Sequence, residues 1–203
     1  MTYEVEIRFI AETAEEAFTT VPFLEASLGE SKEWSTEILD RSIFEDGRLL
    51  RVGWAQSGDV RLDFIGFKGP DEGRVANIRQ EWGEEISDGI VDSQIMALLG
   101  LSATFATADA IRKTLVDAGH VPFMSFSGVD RLGHHAPLAI HTKLARCPAI
   151  LDDRVLVELE MEANTLTEAE SAERSLLNIA EQYNIVERLV RDEPPTMLYK
   201  RIA

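Results

Sequence analysis

The chain has 203 residues, 45% of them hydrophobic and 28% charged, and a formal net charge of -16 at pH 7. These proportions fit a globular chain of one large domain with a sizeable core. The acidic excess excludes a nucleic-acid backbone or an anionic membrane surface as the main partner, because no basic surplus is present to displace counterions.

Tyr3 to Ile10 alternates charged with apolar side chains and reads as a strand that starts with no export signal before it. Thr13 to about Leu28 reads as a helix. Thr13 and Glu16 are spaced as a capping box, Pro22 kinks or splits it, and Gly29 closes it. From about Trp34 to Trp82 short strands meander between turns at Asp46-Gly47, Ser57-Gly58 and Gly69-Pro70. Asp92 to Leu101 and Thr107 to Ala118 read as helices, the second ended by Gly119. Strand signals continue to Glu162. Thr167 to Tyr183 is the strongest helix pattern, with Thr167 and Glu170 as a second capping box and Asn184 as its stop, and Pro194-Pro195 sets off a short tail. No linker-like stretch interrupts the chain, so residues 1–203 read as a single α+β domain.

Two segments carry the chemistry, Glu4-Val5-Glu6-Ile7-Arg8 and Glu158-Leu159-Glu160-Met161-Glu162. As strands they place every carboxylate on one face and every apolar side chain on the other. Like charges at every second position repel, so this face needs water, cations or basic residues beside it. In a closed barrel with the acids inward it makes a metal site. On an open sheet it makes a wet surface, which alternation alone favours. The central strands add Arg51, Lys68, Arg79 and Glu81. Isolated basic residues on strands are usually solvated, yet guanidinium forks and ammonium groups also suit phosphate oxygens, and hard carboxylate oxygens suit Mg²⁺ or Mn²⁺.

The order Glu4-x-Glu6-x-Arg8, Leu50-Arg51-Val52, Phe67-Lys68-Gly69-Pro70, Arg79-x-Glu81, a helical pair and Val157-Glu158-Leu159-Glu160 resembles the CYTH superfamily of triphosphate tunnel metalloenzymes, over nearly the whole chain. The resemblance implies an α+β fold in which helices flank an eight-stranded antiparallel β-barrel, the triphosphate tunnel. It implies Glu4, Glu6, Glu81, Glu158 and Glu160 as metal ligands for Mg or Mn, and Arg8, Arg51, Lys68 and Arg79 as phosphate contacts. The implied activity is that of a metal-dependent hydrolase, or an adenylate cyclase-like enzyme, on a small-molecule triphosphate: tripolyphosphate, thiamine triphosphate or ATP. The alternative is a catalytically impaired module that binds a metal or an anionic metabolite. No nucleic acid or membrane partner is expected, and a homodimer is compatible with this size.

Several positions depart from the family pattern. Its signature lysine is Arg8, a poor general base. The arginine expected two residues after Arg51 is Gly53. The acid expected after Glu81 falls on Gly83, with Glu84 or Glu85 re-aimed by a bulge as the replacement. An expected Lys-x-Arg strand reads Pro122-Phe123-Met124-Ser125-Phe126-Ser127, leaving Arg131 or Lys143 as substitutes. Strict alternation also puts Lys68 in phase with Val60, Leu62 and Phe64, a mismatch that a bulge near Gly66 corrects. His134, His135 and His141 read as a turn region rather than a transition-metal site. The lone Cys147 excludes an internal disulfide, fits a reducing, cytoplasmic setting and reads as a buried small hydrophobe.

Overall fold

The computed structural model describes residues 2–86, 93–101 and 107–203. The strands are β1 (Thr2–Ala11), β2 (Leu28–Leu39), β3 (Leu49–Ser57), β4 (Val60–Lys68), β5 (Asn77–Ile86), β6 (Pro122–His135), β7 (Ile140–Arg146) and β8 (Val155–Ala163). They close into an antiparallel barrel in the order β1-β5-β4-β3-β2-β6-β7-β8. Helices α1 (Ala14–Thr20), α2 (Phe23–Ser27), α3 (Arg41–Glu45), α4 (Gln94–Leu98), α5 (Ala108–Asp117), α6 (Pro148–Leu151), α7 (Leu166–Gln182) and α8 (Pro194–Ile202) pack around it. None of them is long and apolar enough to cross a membrane.

Burial decides which face of the alternating strands turns inward. Val5, Ile7 and Phe9 of β1 and Val155, Val157 and Leu159 of β8 sit under Ala169, Ala172, Leu176 and Ile179 of α7, all in one core cluster. Each large apolar side chain covered this way stabilises the fold by about 1.5–3 kcal/mol. A one-residue slip would expose them all and push carboxylates beneath the helix. The acidic face of β1 and β8 therefore turns into the barrel, and the open-sheet alternative is excluded. A second cluster seats α4 and α5 on the outer side chains Leu50, Val52, Ile65 and Phe67 of β3 and β4. A third closes one barrel end, where Ile150 and Leu151 of α6 and Leu198 of α8 meet Ile38, Leu49, Met124 and Leu156.

Local signals explain most boundaries. Pro22 splits the first helix into α1 and α2, and the Thr13 hydroxyl accepts from the Glu16 amide at its start. Gly29 lies inside β2 rather than closing the helix. The last long helix starts two residues earlier than its spacing suggests. Thr165 caps it, accepting from Glu168 N, and this phase lays the Ala169, Ala172, Leu176 and Ile179 stripe on the barrel; Asn184, at φ +55°, follows its end. α3 was not anticipated; Asp40 caps it by accepting from the Ser42 and Ile43 amides. Gly69-Pro70 does not make a tight hairpin. It opens the connection 69–76, which Asp71 ties down by accepting from the Gly73 and Ile78 amides at 2.9 and 3.0 Å. Asp92, the expected start of the helix read over Asp92 to Leu101, lies outside the described residues. The tail after α7 is also different: Pro194 and Pro195 occupy the first turn of α8.

Candidate active site

The barrel encloses a cavity of about 390 Å³ whose lining includes Glu4, Glu6, Arg8, Arg51, Lys68, Glu81, Glu158 and Glu160. Strand register sets their pairing. Arg8 lies opposite Glu158, Lys68 opposite Glu81, and Lys143 opposite Glu158, each an opposite-charge cross-strand pair. Glu6 lies opposite Glu160, a like-charge pair. Among the described residues no basic group lies within 4.0 Å of the Glu160 carboxylate, and burial followed by Glu6 pushes it up to about 7. Burial, the largest effect, also raises Glu4 and Glu6.

Arg8 is 1% exposed. It donates to Asn77 Oδ1 and to the Arg191 carbonyl, both at 2.8 Å, rests against Glu6, and has Nε 3.5 Å from Glu158. Lys68 Nζ contacts Glu4 and lies 4.0 Å from both Glu6 and Glu81. Burial pulls its ammonium down, and Glu4 and Glu193 outweigh burial, so it stays charged. Arg51 donates to Glu81 at 3.1 Å and packs over the Phe64 ring. Lys143 stands 2.9 Å from Glu158 and 3.5 Å from Asp130.

No bulge aims Lys68. β3 and β4 pair without a register shift, so Lys68 shares the inner face with Phe64, and the wall is apolar toward one end. Gly66 between them lets Arg51 cross: an added Cβ there would lie 2.9 Å from Arg51 Nε. Nor is there a bulge in β5. Glu84 points outward and accepts from the Ile95 amide, and Glu85, in phase with Glu81 and opposite Phe64, is exposed and outside the cavity lining, so neither replaces Gly83. Arg131 is on the outside, donating to the Leu28 and Gly29 carbonyls, while Lys143 is inside. Arg79 does not line the cavity; it donates to the Gly47 and Gly69 carbonyls at one barrel end. His134 and His141 are exposed, with ring centroids 5.0 Å apart, and Cys147 is buried with its thiol pushed up to about 11 by burial.

The missing arginine at Gly53 has a steric reason. A Cβ there would come 2.3 Å from the Ser35 carbonyl oxygen and 2.8 Å from the Phe64 ring. Gly53→Arg is therefore expected to destabilise the barrel by about 1–3 kcal/mol or more, read as a lowered urea midpoint, rather than to restore a phosphate contact.

Three charged residues of the cavity lining are not singled out by the sequence: Lys32, Asp130 and Glu193. Lys32 and Asp130 pair across β2 and β6 and read locally as solvated strand charges. Glu193 lies in Arg191-Asp192-Glu193, which reads as an exposed charged stretch. Its carboxylate is instead 6% exposed, 3.5 Å from Lys68 and 3.6 Å from Arg79. Burial pushes it up, but Lys68, Arg79 and Arg8 outweigh burial and bring it down to about 2.

The carboxylates fit a hard divalent cation. Glu4, Glu6 and Glu193 each bring an oxygen within 4.8 Å of the others. Glu6 Oε1 has no hydrogen-bonded partner, although it lies against the Arg8 guanidinium.

The closed eight-stranded antiparallel barrel with flanking helices matches the triphosphate-tunnel fold that the sequence resemblance implies. Solved structures share it. The PH1819 protein of Pyrococcus horikoshii superposes with a TM-score of 0.72 at 17% identity, covering 98% of this chain and 99% of that one. A proposed adenylate cyclase of Vibrio parahaemolyticus gives 0.70 at 13% identity, covering 97% and 98%. HpAC1 of Hippeastrum, a proposed adenylyl cyclase described as having a dominant triphosphatase activity, gives 0.54 at 15%, covering 91% and 89%. At these identities the likeness is one of fold. No protein-family model and no curated protein matches the sequence.

Proposed function

We propose that the barrel binds the triphosphate of a small molecule together with Mg²⁺ or Mn²⁺, and that this chain is a metal-dependent phosphohydrolase in which residues 1–203 act as one domain. One observation carries the reading: Glu160 lies opposite Glu6 with no basic group within 4.0 Å of its carboxylate among the described residues, in the same cavity as Arg8, Arg51, Lys68 and Lys143. Acids so arranged call for a divalent ion, and the basic wall calls for an anion. The triphosphatase activity described for HpAC1 favours hydrolysis over cyclisation.

In this reading Glu4 and Glu6, whose oxygens lie within 4.8 Å of each other, and Glu160, opposite Glu6, would hold the cation, with Glu81 and Glu158 in the same cavity. When bound, the ion would neutralise phosphate charge and make water a better nucleophile at neutral pH. Arg51, Lys68 and Lys143 hold phosphate oxygens. Arg8 fixes Glu6 and Glu158 in place and, staying protonated, takes no proton from the nucleophile. Phe64 and the apolar end of the cavity exclude bulk water, which strengthens each of these contacts.

A second reading, a catalytically impaired module that binds a metal or an anionic metabolite, is favoured by the contact of Lys68 with Glu4, a residue assigned above to the cation. Turnover of tripolyphosphate, thiamine triphosphate and ATP with Mg²⁺ or Mn²⁺, reading phosphate and cyclic AMP in parallel, separates the two. The hydrolase reading expects phosphate release that Glu6→Gln abolishes while the protein stays folded. Binding without turnover in every pairing moves the conclusion to the module.

A further inference from the structure

The segment after α7 returns to the barrel instead of trailing into solvent. Leu189 bridges to Phe9 of β1, and the Val190 amide donates to the Arg8 carbonyl at 2.9 Å. Arg191 is fastened outside by the Arg74 and Gly73 carbonyls at 2.8 and 3.0 Å. Glu193 then enters the cavity, and α8 begins at once and closes that end, with Leu198 buried among the barrel's apolar side chains.

The surroundings of Glu193 are those of an anion. Lys68 Nζ, Arg79 Nε and Arg8 Nη2 lie 3.5, 3.6 and 3.9 Å from its Oε1. That oxygen is buried and has no hydrogen-bonded partner among the described residues. A carboxylate held by charge alone between three cations is a resident counter-ion. Two of these cations, Lys68 and Arg8, line the cavity that the proposed function gives to phosphate.

We infer that Glu193 stands in for a phosphate group, and that the C-terminal segment 186–203 is an autoinhibitory plug whose carboxylate an incoming polyphosphate must displace. The inference rests on the proposed anion-binding role of the cavity. A site open only a fraction of the time loses apparent affinity in proportion to that fraction. The plug lowers affinity for polyanions, selects against those too weakly charged to compete, and leaves the protein stable without ligand.

The test is calorimetric binding of tripolyphosphate, without metal, to the wild-type chain and to Glu193→Gln, Glu193→Asp and Asp130→Asn. The inference expects Glu193→Gln to bind about tenfold tighter or more, with Glu193→Asp intermediate. Asp130→Asn removes the same charge from the same cavity beside Lys143 rather than Lys68, Arg8 or Arg79, and is expected to change affinity less because Lys143 keeps Glu158 at 2.9 Å. Tripolyphosphate should also raise the melting temperature of Glu193→Gln more than that of the wild type, since it replaces the lost anion. If Glu193→Gln does not fold, Glu193→Asp decides alone: tighter binding than wild type supports the plug, and equal or weaker binding overturns it. Wild-type binding with no gain in the Glu193 variants, or an equal gain in Asp130→Asn, overturns the plug and leaves the anion-binding cavity standing. A loss of Mn²⁺ affinity in Glu193→Gln makes Glu193 a cation ligand and also overturns it. Folded protein that binds no tripolyphosphate in any form overturns the cavity reading itself.

Discussion

Arg8→Met is expected to lower the unfolding free energy by about 3–5 kcal/mol, the usual cost of removing one partner from a buried ion cluster. Arg8 is 1% exposed and faces three carboxylates, Glu6, Glu158 and Glu193, while donating to Asn77 Oδ1 and the Arg191 carbonyl. A methionine of similar length fills the space but leaves those acids facing one another and two acceptors without donors. The acids would then have to take up protons to stay buried. Arg8→Lys should lose less, since one ammonium keeps the charge but cannot reach five acceptors set around a planar fork. Urea titration at pH 7 reads both. A loss below about 1 kcal/mol for Arg8→Met would mean that water screens the cluster, as it does for exposed pairs. The same geometry explains why arginine stands where the resemblance has a lysine. The guanidinium ties β1 to β8, to β5 through Asn77, and to the C-terminal segment through the Arg191 carbonyl.

How much of this was legible follows from the range of each interaction. Strand alternation, the turns at Gly47 and Gly58, the Thr13 cap and the stop at Asn184 depend on neighbours a few residues apart, and those readings match the structure. Alternation alone leaves the inward turn of the acidic faces open, because it is set by α7 covering Val5, Ile7, Val157 and Leu159 from the other side. Strict alternation gives the phase of Lys68 as it stands, and the bulge expected near Gly66 rests on the premise that a tunnel wall is polar throughout. Phe64 shows that it is not, and Gly66 supplies room for Arg51 rather than a bulge. Glu193 carried no local signal at all. Its partners Arg8, Lys68 and Arg79 lie more than a hundred positions away, and only closure of the barrel by α8 brings them together.

Glu160→Gln is expected to stabilise the protein without metal by about 3 kcal/mol at pH 8, and by much less at pH 5. Burial and the facing Glu6 carboxylate raise Glu160 from 4.5 to about 7 in the folded chain. An acid whose folded pKa lies above its unfolded value gives its full stability below the unfolded value and loses it as pH rises through the folded one. Ionisation of Glu160 therefore works against the fold progressively between about pH 5 and pH 8, and glutamine, which does not ionise, escapes that loss. Glu4 and Glu6 are raised as well and act in the same direction. Glu81, Glu158 and Glu193 are lowered, so their contribution is complete above the usual carboxylate range and fails only as pH falls below it. The window from pH 5 to 8 thus reads the raised acids together, and the difference between wild type and Glu160→Gln isolates Glu160. Denaturant midpoints of both proteins across that window, in a chelator, read the effect as a wild-type stability that declines with pH against a flatter curve for the variant. Parallel curves would mean that a neighbouring cation already compensates Glu160. Adding Mg²⁺ at pH 8 should then restore wild-type stability more than that of Glu160→Gln, because the ion takes over the charge balance that the proton supplies at pH 5.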